Sequence, residues 1–428
     1  MQTQNLCAGV DLHRIDAPKF KTNLLSLYFH IPLRRDTVTM AALLPSVMKR
    51  GTAKFPTFTA IAEYLENLYG ASCSAGIRFK GDGEVLYFSV EYIRDRFIGE
   101  KLTGQLLDFL REWVFAPYLH DGVFCADYVK GEKENLKNAI EGLINDKKEY
   151  AEVKCREAMF GCEGYGMFEA GYVEDLPDIT PKRLYDFYLD VLQLAKVDIF
   201  ASGSFDDDLT EAVKAVLLPS LPPRDAAYPR TEVARLEEGM AVRRVEEEID
   251  VVQSKLCLGL RCGISPTSDM YYALMLASCI YGGSPFSKLF NNVREKLSLA
   301  YYAVSRLERF KSVMTVSSGI QTEKFDAAYQ EILLQLTKMK NGDFTDGEIE
   351  AAKKYLTTGL QSMKDGLRTM EDYYLSQCIM GQQQDIDDLL AHLMQVDRAA
   401  IQKAAQGIVL DTVFFLRGNQ EGGADTCA

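Results

Sequence analysis

Hydrolysis needs either a nucleophile with its base or a metal with its ligands, and side chains able to supply these are sparse in this sequence. The four histidines are His13, His30, His120 and His392. No pair stands at helical spacing, so no helix can present two imidazoles on one face to a metal ion. His30 lies in an apolar run and reads as a packed histidine, whereas His392, within DDLLAHLMQVD, falls on an amphipathic helix. Ser46 and Ser284 have no nearby histidine to act as base. Gly282-Gly283 is not followed by the Gly-Lys-Ser/Thr of a phosphate cradle and reads as a helix C-cap. The 10 cysteines include no Cys-x-x-Cys pair. Cys7, Cys125, Cys257 and Cys279 sit among apolar neighbours, and all ten are expected to be thiols.

The chain of 428 residues is long enough to bury two sizeable cores, and 47% hydrophobic with 25% charged residues is a globular composition. With 48 Lys+Arg against 61 Asp+Glu the net charge is −13, which repels phosphate backbones and anionic lipid and argues against nucleic acid as a partner. The first twenty residues have no apolar h-region, and no later segment approaches a spanning length, so a cytoplasmic protein is expected.

An internal repeat supplies the elements. TNLLSLYFHIPL, residues 22 to 33, reads as a strand, followed by a charged turn and a helix from Met40 to near Gly51. In the second half VVQSKLCLGLRCGI, SPTSD and MYYALMLASCIYGGS repeat this order, with Met40 and Met270 equivalent at an offset of 230. Each half then offers a strand pair, ASCSAGIRF with EVLYFSVEYI and AYYAVSRL with SVMTVSSGI. Gly-x-Phe turns at Gly122 and Gly342 introduce the helix-rich segments, the second leading into a capping box of Thr345 and Glu348. The pattern predicts an α+β protein of two similar tandem domains, each a mostly antiparallel sheet with helices packed on one face. Domain one spans residues 1–216 and domain two 240–428. The linker 217–239, with four of the 13 prolines, is expected to be extended and exposed.

The run GGSPFSKLFNNVREKLSLAYYAVS, residues 282 to 305, together with LPDITPKRLYDFYLDVL and KRGTAKFP, resembles the pitrilysin/insulinase family of zinc metallopeptidases over nearly the full chain. In active members of that family a first-half helix carries His-x-x-Glu-His, in which two imidazoles hold zinc and the glutamate serves as base. Aligned on Gly51-Thr52, the motif falls on Ala42, Leu43, Leu44, Pro45 and Ser46. Both ligands and the base are missing. The downstream glutamates of the family match Glu134 and Glu141, whose seven-residue separation puts both on one helical face. That helix is rich in Lys and Glu, the composition of a solvated face, and Glu141 reads as a relic.

The resemblance also implies a second-half arginine and tyrosine that reach towards the scissile peptide bond, here Arg294 and Tyr301, with Tyr302 as runner-up for the phenol. Arginine stays cationic at any working pH, and a phenol of pKa about 10 remains a neutral donor at pH 7. The alternatives are an i, i+4 surface ion pair for Arg294, in the neighbourhood of Glu295 or with a carboxylate elsewhere, and packing at a strand start for Tyr301. The implied function is a zinc-less subunit of a two-chain zinc endopeptidase. A homologous partner would carry His-x-x-Glu-His and the zinc, the two chains would enclose a peptide or unfolded segment, and this chain would hold no cofactor. By itself it would be an inactive metallopeptidase homologue, able to form a homodimer when isolated. The competing reading is a non-enzymatic peptide-binding or assembly subunit.

Overall fold

In the computed structural model, which describes residues 1–161, 164–206, 208–235 and 241–419, the apolar run at residue 22 forms the strand Thr22–Pro32. Its interior is buried on both faces, which is why it shows no polar alternation. It lies inside a six-stranded sheet ordered Gln2–Cys7, Val10–Asp16, Lys196–Gly203, Thr22–Pro32, Gly83–Ile93 and Ser72–Lys80. Val10–Asp16 and Lys196–Gly203 pair in parallel, and all other neighbours are antiparallel.

The second sheet repeats this topology. Its order is Arg243–Ile249, Val409–Gly418, Ser254–Arg261, Val313–Ile320 and Ala300–Glu308, again with one parallel pair, Arg243–Ile249 with Val409–Gly418, which here lies at the sheet end because no described strand corresponds to Gln2–Cys7. The repeated Gly-x-Phe turns share a backbone requirement as well, since Gly122 and Gly342 both adopt left-handed φ values, 78° and 80°. The capping box is present: the Glu348 amide donates to Thr345 Oγ1 at 3.1 Å, and the Thr345 amide donates to Glu348 Oε2 at 2.7 Å. The α+β class and the paired, mostly antiparallel sheets are those read from the sequence.

By packing, the chain forms two compact units that interleave along the sequence. One comprises Met1–Glu141, Phe168–Arg230 and Lys364–Gln383; the other comprises Gly142–Met167, Thr231–Met363 and the chain from Gln384. The core of the first gathers the helices Val38–Met48 and Leu102–Phe115 on the sheet face lined by Leu25, Leu27 and Phe29, with Trp113 fully buried. On the opposite face Tyr28, Val85 and Phe200 pack under the helix Leu367–Ile379. In the second unit the helix Lys147–Phe160 plays the same part, its Ala151 and Cys155 packing on Cys257, Phe414 and Leu416.

The proline-rich stretch differs from the free connection its composition suggests. Residues 221–235 form neither helix nor strand, but Arg224 is buried and donates to the Leu192 and Pro222 carbonyls, and Tyr228 donates to Asp198 at 2.9 Å. The Arg224 bond to Leu192 and the half-buried Tyr228 phenol fasten residues 221–230 within the first unit. Residues 236–239 of the expected linker lie outside the described residues.

Candidate functional site: a cleft in the second unit and an altered helix in the first

The helix Val38–Met48 carries the positions aligned with the zinc motif. Leu43 and Leu44 are buried in the core, and Pro45 is buried inside the helix. Ala42 and Ser46, one turn apart, are half-buried on a common face. The side chains at the three positions expected from the resemblance are a methyl, a pyrrolidine and a hydroxyl. Glu134 and Glu141 are exposed on the helix Ala126–Gly142, and Glu141 faces Lys137 at 3.7 Å. Glu134 lines a cleft of about 570 Å³ with Lys130, Lys133 and Lys137. Among the described residues, no group of three or more His, Cys, Asp and Glu side chains is placed to hold a metal ion.

The histidines serve other ends. His13 and His30 are buried, their Nε2 atoms 3.1 and 2.9 Å from the two carboxylate oxygens of Asp198. Lys196 donates to the same carboxylate at 2.7 Å. Burial works to raise the Asp198 pKa, but the His13 and His30 hydrogen bonds and the charges of His30 and Lys196 outweigh it and hold the group well below the usual carboxylate range. His392 stacks on Tyr272, and exposed His120 lies 3.2 Å from Asp121. His30 is thus a packed histidine and His392 a helical one, as their sequence contexts predict. Each cysteine among the described residues is a free thiol, while Cys162 and Cys427 lie outside those residues.

Arg294 and Tyr301 line one cleft of about 390 Å³ with Glu295, Ser298, Leu299, Ala300, Gln321 and Lys324. Arg294 belongs to the π-helical turns Leu289–Lys296. Its Nε lies 3.3 Å from Glu295 Oε1, and its guanidinium stacks over Phe290 at 4.7 Å. The chain then turns back through Ser298, whose left-handed φ of 48° is rare for a side chain larger than glycine. The Ser298 amide donates to the Arg294 carbonyl, and the Leu299 amide to that of Val293. These bonds join the end of the arginine-bearing helix directly to the strand Ala300–Glu308.

That strand begins with an irregularity. Ala300 pairs with Ile320 and Tyr302 with Gly319, which leaves Tyr301 as the extra residue of a bulge. A bulge re-aims one side chain. Tyr301 is 60% exposed in the cleft, at the start of an edge strand. Tyr302 instead packs near Lys148, Lys255 and Ser317, where burial pushes its phenol above the ordinary range. The structure therefore brings Arg294 and Tyr301 together and sends Tyr302 elsewhere. Arg294 does form a surface ion pair, but with the adjacent Glu295 and not at the i, i+4 spacing expected as its alternative.

Gly282 is not a left-handed cap. The helix Met270–Ser278 runs on through the π turn Cys279–Gly283, and a Cβ at Gly282 would lie 2.7 Å from Leu289 and 2.8 Å from the Ser305 backbone nitrogen. Glycine stands there because the helix end and the neighbouring strand approach too closely for a side chain. Sequence reasoning missed Gln321, Ser298 and Lys324 in the cleft, since nothing in QTEK or KLSLA marks them.

Two α+β units of repeated topology, with the histidine-free helix Val38–Met48 in one and a cleft lined by Arg294 and Tyr301 in the other, are the architecture of a metallopeptidase homologue. The chain belongs to the pitrilysin/insulinase family of zinc metallopeptidases. Residues 178–356 match the family model described as Peptidase M16 inactive domain. The chain is 34% identical over 414 residues to the "Probable inactive metalloprotease YmfF" of Bacillus subtilis, covering 96% of each chain. A conserved protein from Enterococcus faecalis of known crystal structure is similar at 30% identity, with a TM-score of 0.91 over 99% of both chains. A protease from Helicobacter pylori, at 15% identity and a TM-score of 0.81 over 97% of this chain and 99% of that one, shares the fold. No helix among the described residues is long and apolar enough to cross a membrane.

Proposed function

We propose that this chain is the metal-free subunit of a heteromeric zinc endopeptidase, in which a homologous partner with His-x-x-Glu-His supplies zinc and base while Arg294 and Tyr301 bind the peptide and its transition state. The observation that carries the reading is the joint exposure of these two side chains in one cleft. In the alignment on Gly51-Thr52, Ala42 and Ser46 stand at the ligand positions and Pro45 at that of the base, while Arg294, at the end of its helix, and Tyr301, at the start of an edge strand, are solvent-accessible. An edge strand offers unpaired amides and carbonyls to an extended peptide, and a donor aimed at a developing oxyanion is worth roughly 3 kcal/mol. The reading includes a cytoplasmic location and no cofactor in this chain.

The test is reconstitution with the zinc-bearing homologue. Arg294→Ala should lower peptide cleavage on the order of a hundredfold and leave co-elution of the two chains intact. Unchanged turnover would favour the second reading, a peptide-binding or assembly subunit with no part in the chemistry. The Arg294–Glu295 pair favours that alternative, because it gives the guanidinium a partner within the chain itself.

A further inference from the structure

Lys324 is the least explained charge in the cleft. It stands between the strand Val313–Ile320 and the helix Phe325–Asn341, and its Nζ donates to the Ser298 carbonyl at 3.0 Å. That bond uses one of three ammonium donors. No carboxylate among the described residues lies within ion-pair distance of Lys324, whereas Arg294 already faces Glu295. The charges lining the cleft are therefore Arg294 and Lys324 against Glu295, a locally cationic spot on a chain of net charge −13. Its position is fixed, because Ser298 is the left-handed turn that joins the Arg294 helix to the Tyr301 bulge.

We propose that Lys324 makes this cleft selective for peptides bearing a carboxylate side chain, with the ammonium reading an acidic residue beside the segment held by Arg294 and Tyr301. The inference rests on the peptide-binding role proposed above for the cleft and adds the class of substrate. Glutamine in place of that acidic residue keeps its shape and removes its charge. The difference in affinity should be that of one partly exposed ion pair, about three- to fivefold, and should fade as salt is raised.

The test is fluorescence anisotropy with a labelled series of otherwise uncharged extended peptides, in which a single Glu or Gln is stepped along the sequence. It is run on the chain alone and on its complex with the zinc-bearing homologue. Binding by the chain alone needs no cleavage, so this result and the turnover of Arg294→Ala can fail independently. The expected outcome is a Glu-over-Gln preference at one position that is lost in Lys324→Gln with affinity for the Gln peptide unchanged, retained in Lys324→Arg and inverted towards Lys in Lys324→Glu. Lys324→Gln weakening the Glu and Gln peptides equally would show that Lys324 only braces the Ser298 turn, and would overturn the proposal. A preference that survives the substitution would overturn it too, as would no preference at any position or no binding by either the chain or the complex.

Discussion

Replacing Asp198 by alanine should destabilise the first unit by about 3 kcal/mol. The carboxylate is fully buried and takes hydrogen bonds from His13, His30, Lys196 and Tyr228, at 3.1, 2.9, 2.7 and 2.9 Å. Removing one member of a buried charged network strands its partners and costs roughly 3–5 kcal/mol. The lower end applies because Asp11, 2.9 Å from the Lys196 ammonium, still offers it a carboxylate. The assay follows from the sequence, since the single tryptophan, Trp113, is buried in the core of the same unit. Selectively excited indole fluorescence in urea therefore reports this unit. The folded pKa of Asp198 is depressed, so its contribution is fully present above the unfolded value near about 3.9 and is lost as pH falls through the folded value. The gap between wild type and Asp198→Ala should narrow as the pH is lowered below about 4. A loss under about 1 kcal/mol at neutral pH, or a gap that widens below about pH 4, would refute the argument.

Two further substitutions test the site assignment. In the reconstituted complex Tyr301→Phe should reduce peptide turnover about a hundredfold, while Tyr302→Phe, altering a phenol turned towards Lys148 and Ser317, should stay within about twofold; initial rates on one labelled peptide decide between them. Glu141→Gln should shift stability by less than about 0.5 kcal/mol and leave turnover unchanged, because the carboxylate is exposed and among the described residues meets only Lys137, at 3.7 Å. Urea midpoints and the same kinetic assay check both halves of that statement.

Much of this architecture is legible in the residues. Continuous apolar runs with turn signals marked Thr22–Pro32, Gly83–Ile93 and Val313–Ile320 to within a residue or two, and the Thr345 capping box marked its helix start. The duplication was legible because both halves use the same order of strand, turn and helix. What the sequence hid was tertiary. Nothing in LRTMEDYYLSQCI states that its Glu371 will bond Tyr28 and Ser202 on the first sheet, since a helical face does not record its partner. The Asp198 cluster was equally hidden. Its members lie on three strands and a proline-rich strap, and each alone looks like an ordinary polar residue in an apolar setting.

The site was legible only through resemblance. Spacing placed Arg294 and Tyr301 seven residues apart, but the left-handed turn at Ser298 and the register shift that makes Tyr301 the bulge residue are not signalled by their residue types. Gly282-Gly283 does end its helical run, as the sequence suggests, but without a left-handed turn. The tight approach of Leu289 and Ser305 that requires glycine at 282 is visible only in three dimensions.

The proposed function has this polypeptide borrow the catalytic metal from its partner. Metal analysis of the chain purified by itself, paired with digestion of an unstructured peptide before and after addition of the His-x-x-Glu-His homologue, tests this most directly. The account predicts far less than one zinc per chain and no cleavage alone, with cleavage appearing in the mixture and depending on Arg294. One tightly held zinc per chain together with peptide digestion in the absence of any partner would contradict it.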